Sequence, residues 1–248
     1  MRRGLSSTGV HARERGLPRA ESIPSSQTVS TGLEGLDAFL GGGYPDSSAI
    51  LITGPPGVGK EALGYWFLRS GLTLGDFCLY VTHRPVSHVQ RDMNAFGIDN
   101  QQSPDWVASV GCPNRCDLND PTGISFAIKQ LVERNKGKRA RVVTDVLSPL
   151  LVLNPPDTMY RYWSQLTSEL RGYDSVLLAL VEEGMHPPNL VASMEQLFDG
   201  VIEMRLFENG LSFVPLLRVK KMLGVIPKHG YFRFSLTNNN LEIQGLVK

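Results

Sequence analysis

The sequence predicts an α/β fold in which helices flank a mainly parallel central sheet, with an antiparallel β extension at the C-terminal end. Short apolar runs that suit buried strands alternate with helical patterns from Ala49 to Phe198. This alternation is typical of a parallel sheet that is covered on both faces. From Val201 onward the pattern changes to successive strands with turns at 208–210 and 238–240, a β-meander that extends one edge of the sheet.

The individual elements follow from hydrophobic periodicity. The helix at 122–134 shows it most clearly, because Ile124, Ile128 and Leu131 recur at three- and four-residue spacing and form one buried face. Strands are predicted at 49–53, 77–82, 106–110, 141–144, 176–181, 201–207, 211–220 and 231–236, and helices at 60–70, 86–96, 122–134, 159–171 and 190–198.

The composition is that of a soluble protein with a sizeable core. Of the 248 residues 42% are hydrophobic, and the net charge of +1 argues against a strongly basic nucleic-acid surface. No apolar run approaches the roughly 20 residues that span a bilayer, and no apolar segment follows the N-terminal arginines as in a secretory signal. Three cysteines are too few for a disulfide framework. We therefore expect a cytoplasmic protein that does not contact membranes.

Residues 1–27 are predicted to form a flexible basic arm, and residues 28–248 the folded domain. The arm is rich in Ser, Pro and Gly, lacks apolar periodicity and carries five arginines. It is either a solvated tail, which we favour, or a segment that touches nucleic acid or an acidic partner.

A phosphate-binding loop lies between the strand at 49–53 and the helix that follows it. The run Gly54-Pro55-Pro56-Gly57-Val58-Gly59-Lys60 has the spacing G-x-x-x-x-G-K. Its glycines let the backbone curl so that N–H groups face phosphate oxygens, while Lys60 and the helix N-terminus add positive charge. We therefore predict that residues 54–62, through Glu61 and Ala62, bind a nucleoside triphosphate.

Glu61 departs from the motif, which normally ends in a Ser or Thr whose hydroxyl binds Mg²⁺. Its carboxylate is either an unusual metal ligand or, as we favour, a sign that metal-dependent chemistry has been lost, since it sets a negative charge against a polyanion. Asp145 follows the strand at 141–144, where phosphate-loop proteins place the Asp that holds Mg²⁺. Asp145 is therefore the candidate metal residue, with Mg²⁺ itself in doubt.

Around these motifs the chain resembles the KaiC-like branch of the RecA/RadA ATPase superfamily. The segments Thr31-Gly32-Leu33-Glu34-Gly35-Leu36-Asp37 and Leu40-Gly41-Gly42-Gly43-Tyr44-Pro45 are similar to that family's lead-in to the phosphate loop. Segments 143–150, 198–202 and 220–224 resemble its Asp-bearing strand, its late helix-to-strand passage and its C-terminal lysine-bearing strand. The resemblance covers about residues 29–243. It implies a RecA-like core that binds ATP or ADP and that often assembles into rings or filaments, with nucleotide between subunits.

The resemblance also shows which catalytic residues are missing. Members that hydrolyse ATP carry a Glu pair after the second strand, where this chain has Arg84 and Pro85. The family's Lys-x-Arg, which meets a neighbour's γ-phosphate, is reduced to Lys221 with Leu223 at the Arg position. Together with Glu61, these departures predict hydrolysis close to background. We expect a regulatory or scaffold protein that acts through nucleotide-dependent self-association, with a further protein partner also open.

Two other functions stay open. In the first, the chain is a working ATPase in which Glu61, or Glu182 after the strand at 176–181, has taken over a catalytic role, with His83 a weaker candidate for the base. In the second, it is a DNA recombination accessory protein like the RadA paralogues, with the arm and the basic stretch 136–141 on DNA. The near-neutral net charge counts against DNA binding. Cys112 and Cys116 lack a second Cys pair or a nearby His, which favours free thiols over a zinc site.

Overall fold

The computed structural model describes residues 27–98, 103–210, 212–225, 230–237 and 241–246. The predicted arm lies outside these ranges apart from Gln27, and so does the turn predicted at 238–240. The helices are α1 (Glu34–Leu40), α2 (Lys60–Leu74), α3 (Val86–Ala95), α4 (Pro121–Arg134), α5 (Leu147–Leu153), α6 (Pro156–Arg171) and α7 (Pro188–Leu197). The strands are β1 (Thr28–Val29), β2 (Tyr44–Pro45), β3 (Ala49–Gly54), β4 (Phe77–Val81), β5 (Asp105–Ala108), β6 (Asn114–Arg115), β7 (Ala140–Thr144), β8 (Ser175–Glu182), β9 (Gly200–Asn209), β10 (Ser212–Met222), β11 (Phe232–Leu236) and β12 (Leu241–Leu246).

Ten of these strands form one sheet in the order β12-β11-β10-β9-β3-β8-β7-β4-β5-β6. Neighbouring strands from β9 through β3 to β6 pair in parallel, whereas β9 to β12 pair antiparallel. The predicted α/β class, with a mainly parallel sheet and an antiparallel extension, is thereby confirmed. β1 and β2 form a separate antiparallel pair.

The core consists of two apolar layers, one on each face of the sheet. Side chains of β3 alternate between them, because Ile50 and Ile52 pack on one side with α1, α2 and α3, and Leu51 packs on the other with α4 to α7. Both faces of the central strands are therefore buried, so every residue of β3, β4 and β7 is buried and most of them are apolar. Among the described residues, no helix is both long and apolar enough to cross a bilayer.

The parallel register brings the candidate residues to one edge of the sheet. Gly54 is paired with Glu182 across β3 and β8, and Thr144, just before Asp145, lies level with Val81 at the end of β4. Ligands of open parallel sheets bind at this carboxyl edge. The fold therefore places the phosphate loop and the ends of β4, β7 and β8 side by side.

Candidate nucleotide-binding site

The phosphate loop connects β3 to the first turn of α2, a helix of 15 residues. Gly57 and Gly59 have φ values of +79° and +97°, which residues with a Cβ rarely adopt. A Cβ on Gly59 would also clash with Cδ1 of Leu236 in β11. The loop therefore requires glycine at Gly59, and the C-terminal extension packs directly on it. The N-terminus of α2, with its unpaired N–H groups and partial positive charge, follows immediately.

Lys60 is almost completely buried, with 1% of its surface exposed. Its Nζ lies 2.9 Å from Oε1 of Glu61 and 2.9 Å from Oε1 of Glu182. The ammonium is within ion-pair distance of both carboxylates but makes a well-aligned hydrogen bond to neither. A buried ammonium without a hydrogen-bond partner is costly, which fits a group that receives an anionic ligand.

Glu182 ends β8 directly beside the loop. Its backbone N–H donates a hydrogen bond to Oγ of Ser148 at 2.8 Å. This bond holds the main chain of Glu182 and does not involve its carboxylate. Its Oε1 lies next to Lys60, and its Oε2 is buried with no hydrogen-bond partner. Glu182 is one of the candidate acids predicted from the sequence, and the structure places its carboxylate at the lysine.

Asp145 follows β7 and lies in a network of polar side chains. Its Oδ2 accepts a hydrogen bond from Thr82 Oγ1 at 2.9 Å and lies 3.4 Å from both the Tyr80 hydroxyl and Nη2 of Arg84. Burial raises the pKa of Asp145, while the charge of Arg84 and the Thr82 hydrogen bond act to lower it. Oδ1 has no hydrogen-bond partner and lies 3.9 Å from Nδ1 of His83.

Arg84 stands where the resemblance predicts a catalytic glutamate. Its Nη1 lies 2.8 Å from Asp92 in α3, and its Nη2 donates to the Tyr65 hydroxyl at 3.2 Å. Burial lowers the pKa of Arg84, but Tyr80, Tyr65 and Asp145 raise it by more, so the guanidinium stays charged. Pro85, the other residue at the predicted pair, directly precedes α3. The end of β4 thus carries a fixed cation instead of an acid.

These side chains line one pocket of about 330 Å³ above the carboxyl edge of the sheet. Two larger grooves, each of about 700 Å³, lie on α4 and α6 and beside α1 and α2, and neither contains a residue of the phosphate loop. The smaller pocket is the candidate site because the buried charges converge on it. Its lining consists of Lys60, Glu61, His83, Arg84, Asp145, Ser148, Pro149, Leu180, Glu182 and Met185.

The residues present do not fit the usual magnesium site of a phosphate loop. The hydroxyl of the motif is replaced by Glu61, whose carboxylate is paired with Lys60. Asp145 offers one unpartnered oxygen, but its other oxygen is bound by Thr82 and faces Arg84. Across the described ranges, no three His, Cys, Asp or Glu side chains come together as metal ligands.

Lys221 and Leu223 do not line the pocket of their own chain. Lys221 in β10 is level with Val201 of β9, which is level with Leu51 of β3. Leu51 precedes Gly54 by three residues, so Lys221 lies toward the opposite edge of the sheet. Leu223 is 55% exposed, and its N–H donates to the carbonyl of Asp199. Both residues therefore lie toward the amino-terminal end of β3 rather than at the phosphate loop.

The remaining candidate residues, the two cysteines and the basic stretch, are explained by their contacts within the chain. Cys112 and Cys116 are free thiols, and burial raises the pKa of Cys116 to about 12, so this thiol is a poor nucleophile. In the basic stretch 136–141, Arg141 is 1% exposed and its Nε lies 2.7 Å from Asp76. Arg139 is paired with Asp174 at 3.1 Å. Two cations of this stretch are thus neutralised within the chain.

Sequence reasoning missed Ser148, Thr82 and Tyr65 as parts of the site. Thr82 and Ser148 follow strands that end at the same edge, and that position is the only signal in the sequence that indicates them. The hydrogen bond of Tyr65 to Arg84 depends on packing of α2 against β4 that the sequence does not specify.

Comparisons relate the chain to known proteins. The model of the KaiC family of ATPases matches residues 29–247. A UPF0273 protein from Methanopyrus kandleri is 28% identical over 239 residues, covering 88% of this chain and 92% of that protein. The circadian clock protein KaiC2 of Synechocystis is 38% identical over 77 residues, which is 30% of this chain and 14% of that protein.

The fold is also found in a solved structure. A KaiC-like protein from Pyrococcus horikoshii superimposes with a TM-score of 0.74 at 19% identity, covering 89% of this chain and all of the other. The RecA-like, KaiC-like architecture expected from the sequence is thereby confirmed. The chain belongs to the KaiC family of ATPases, and its phosphate loop is that of a nucleotide-binding protein.

Proposed function

We propose that this protein binds ATP or ADP with weak or absent hydrolysis and acts as a regulatory or scaffold protein through nucleotide-dependent assembly. The observation that carries the proposal is the contrast between the two halves of the pocket. The phosphate loop and the buried Lys60 suit a phosphate chain, whereas the catalytic half is occupied by the ion pair of Arg84 and Asp145.

Binding would rest on the loop and on Lys60. The curled backbone at Gly57 and Gly59 and the first turn of α2 supply N–H donors, and Lys60 supplies a full positive charge. Such contacts recognise the phosphates and leave the reacting bond untouched.

Weak hydrolysis follows from what surrounds the pocket. A positioned base contributes roughly 10²–10⁴-fold to a rate, and an arginine supplied by a neighbour contributes about 10³–10⁵-fold. By the family resemblance, Arg84 stands where the base is expected and Leu223 where the neighbour's arginine is expected. Arg84 also offsets the charge of Asp145, which in related sites serves a metal ion.

Assembly is supported by the C-terminal extension. Lys221 does not line the pocket of its own chain, and we infer that it meets the phosphate of another subunit. The hairpin of β9 and β10 also exposes Leu206, Phe207 and Phe213, of which Phe213 is 67% exposed. Apolar side chains grouped on one exposed hairpin favour a protein contact.

A second candidate function is a working ATPase that uses Glu182. It is supported by the position of Glu182 in the pocket, where Oε2 is buried without a hydrogen-bond partner and could act as a base once its side chain turns toward a water in the pocket. His83, 45% exposed and 3.9 Å from Asp145, is a weaker alternative. DNA binding has no comparable support within the described residues.

The test is calorimetric titration of ATP and ADP, with magnesium and with a chelator, combined with a phosphate-release assay. The proposal expects binding of both nucleotides and release close to the uncatalysed rate. Brisk release that disappears in Glu182→Gln would establish the second candidate. No binding of either nucleotide under any condition would show that the loop has lost its ligand.

A further inference from the structure

Lys60, the main cation of the phosphate loop, is already paired with two carboxylates. Its Nζ lies 2.9 Å from Glu61 on one side and 2.9 Å from Glu182 on the other, while the lysine itself is 1% exposed. The two carboxylates are 28% and 27% exposed, since they face the pocket. The group that should meet phosphate oxygens therefore has an internal anion on each side.

The pocket contains more carboxyl groups than fixed cations. Its titratable lining consists of the cations Lys60 and Arg84, the carboxyl groups of Glu61, Asp145 and Glu182, and the imidazole of His83. Arg84 faces Asp145 at 3.4 Å, so Lys60 alone remains to offset both glutamates. A phosphate chain that enters this pocket meets like charge unless one carboxylate moves away.

Glu182 is better placed than Glu61 to compete with a phosphate. Glu61 belongs to the first turn of α2, where a carboxylate is already stabilised by the helix N-terminus. Glu182 comes from β8, level with Gly54, and reaches Lys60 from across the loop. Its main chain is held by Ser148 and its Oε2 has no hydrogen-bond partner, so its side chain can swing out while the backbone stays.

We propose that Glu182 is a built-in competitor of the nucleotide's phosphates. In the resting site it neutralises Lys60, and a polyphosphate binds only by displacing it. Glu182 therefore determines the affinity of the site, and any event that draws its carboxylate away from Lys60 raises that affinity. This inference rests on the proposed nucleotide binding and specifies how that binding is restrained.

The test compares Glu182→Gln with Glu183→Gln in calorimetric titrations of ATP, ADP, inorganic tripolyphosphate and adenosine. Glu183 is the matched control, because it is the next residue, its side chain is 45% exposed, and its carboxylate lies 4.0 Å from Arg205 and not at Lys60. We expect Glu182→Gln to tighten ATP, ADP and tripolyphosphate at least tenfold. Adenosine should bind both variants as it binds the original protein, and Glu183→Gln should stay within twofold for every ligand.

A combination with Lys60→Ala separates displacement at the lysine from general repulsion. If Glu182 acts by occupying Lys60, most of the gain should vanish when Lys60 is absent. If Glu182→Gln tightened binding by the full amount even in the Lys60→Ala protein, the competitor proposal would be overturned. Glu182 would then act only by general charge repulsion. Unchanged or weaker binding by Glu182→Gln would overturn it as well, while the proposed function would stand if the original protein binds nucleotide. No binding by any variant would overturn both, and thermal unfolding checks that each variant is folded.

Discussion

At the scale of single residues, nearly every charged side chain in the pocket has a partner of opposite charge. Lys60 is held by Glu61 and Glu182, and Arg84 is shared between Asp92 and Asp145. A buried charge is tolerated only when it is paired. Removal of one partner leaves the other as an uncompensated buried charge, which carries a large desolvation cost. Substitutions here should therefore change ligand affinity and local charge balance together.

Replacing Lys60 by Ala should weaken binding of ATP and ADP at least tenfold, because the substitution removes the only cation that lies directly at the phosphate loop in the described pocket. Calorimetry with each nucleotide measures the change. Lys129→Ala is the control, since Lys129 lies on α4 and is paired with Glu169 at 2.9 Å, away from the loop. Equal affinities of the original protein and Lys60→Ala would show that the nucleotide binds elsewhere.

Replacing Glu61 by Thr should tighten binding of ATP with magnesium several-fold and should leave turnover negligible. The substitution restores the usual hydroxyl and removes a negative charge next to the phosphates. A unit charge pair at 4 Å is worth roughly 4 kcal/mol at an effective dielectric near 20, and less at this partly exposed carboxylate. Arg84, Pro85 and Leu223 remain, so the attacking water and the γ-phosphate still lack partners. Titration and phosphate release together measure both effects. Loss of binding would instead identify Glu61 as a true metal ligand.

The sequence predicted the residues of the loop but not the pairs they form. Gly54 to Lys60 could be recognised because spacing, strand and helix are all local. The ion pair of Arg84 with Asp145 joins residues that are 61 positions apart, and the contact of Ser148 with Glu182 joins residues 34 apart. Such contacts depend on strand order, which hydrophobic periodicity does not encode.

At the scale of elements, long periodic segments were predicted well and short ones were missed. Helices α2, α3, α4, α6 and α7 lie where the sequence places helices, with ends that differ by a few residues. α1 and α5 have seven residues each, too few to show a helical period, and α5 has Pro149 in its first turn. β12 was missed as well, and its pairing with β11 follows a turn region outside the described residues.

The antiparallel extension depends on a buried acid, Glu203 in β9. Its carboxylate accepts from Tyr231 at 2.9 Å and from Arg218 at 2.6 Å, and it is also paired with Arg205. Burial raises the pKa of Glu203, but Tyr231 and the two arginines lower it by more, so the net shift is downward. A lowered pKa contributes stability above the ordinary pKa of a glutamate, and this stability is lost as pH falls through the lowered value.

Glu203→Gln should therefore reduce the free energy of unfolding by about 1.5–3 kcal/mol at neutral pH, the range for hydrogen bonds to charged groups. The difference from the original protein should shrink as the solution is acidified below the ordinary glutamate pKa of 4.5. Thermal unfolding at a series of pH values measures both. Glu195→Gln, which breaks only the surface pair with Lys220, should cost less than about 1 kcal/mol. A pH-independent difference would mean that Glu203 acts by packing alone.

At the scale of the whole molecule, the phosphate loop and the C-terminal lysines lie toward opposite ends of the strands of the ten-stranded sheet. The phosphate loop lies at the carboxyl edge of β3, while β10 runs antiparallel to β9 and ends toward the other edge. A chain of this shape presents its loop and its lysine strand in opposite directions. Two copies stacked in the same orientation would bring the lysine strand of one toward the loop of the next, which is a heterologous contact that closes into a ring or continues as a filament.

Nucleotide should therefore promote self-association, and Lys221 should be needed for it. ATP would place negative charge opposite Lys221 of the neighbouring copy, so light scattering should report a larger mass with ATP than without it. Lys221→Ala should lose most of this increase while retaining ATP binding in calorimetry, since Lys221 lies away from its own loop.

Lys220→Ala is the matched control, because Lys220 is adjacent but is held by both oxygens of Glu195 at 2.6 and 2.7 Å in its own chain. The ATP-dependent increase should survive in that variant. A protein that stays monomeric with and without ATP would contradict the interface, and an assembly that forms equally with Lys221→Ala would show that the contact depends on other side chains, with the exposed Phe207 and Phe213 as the next to replace.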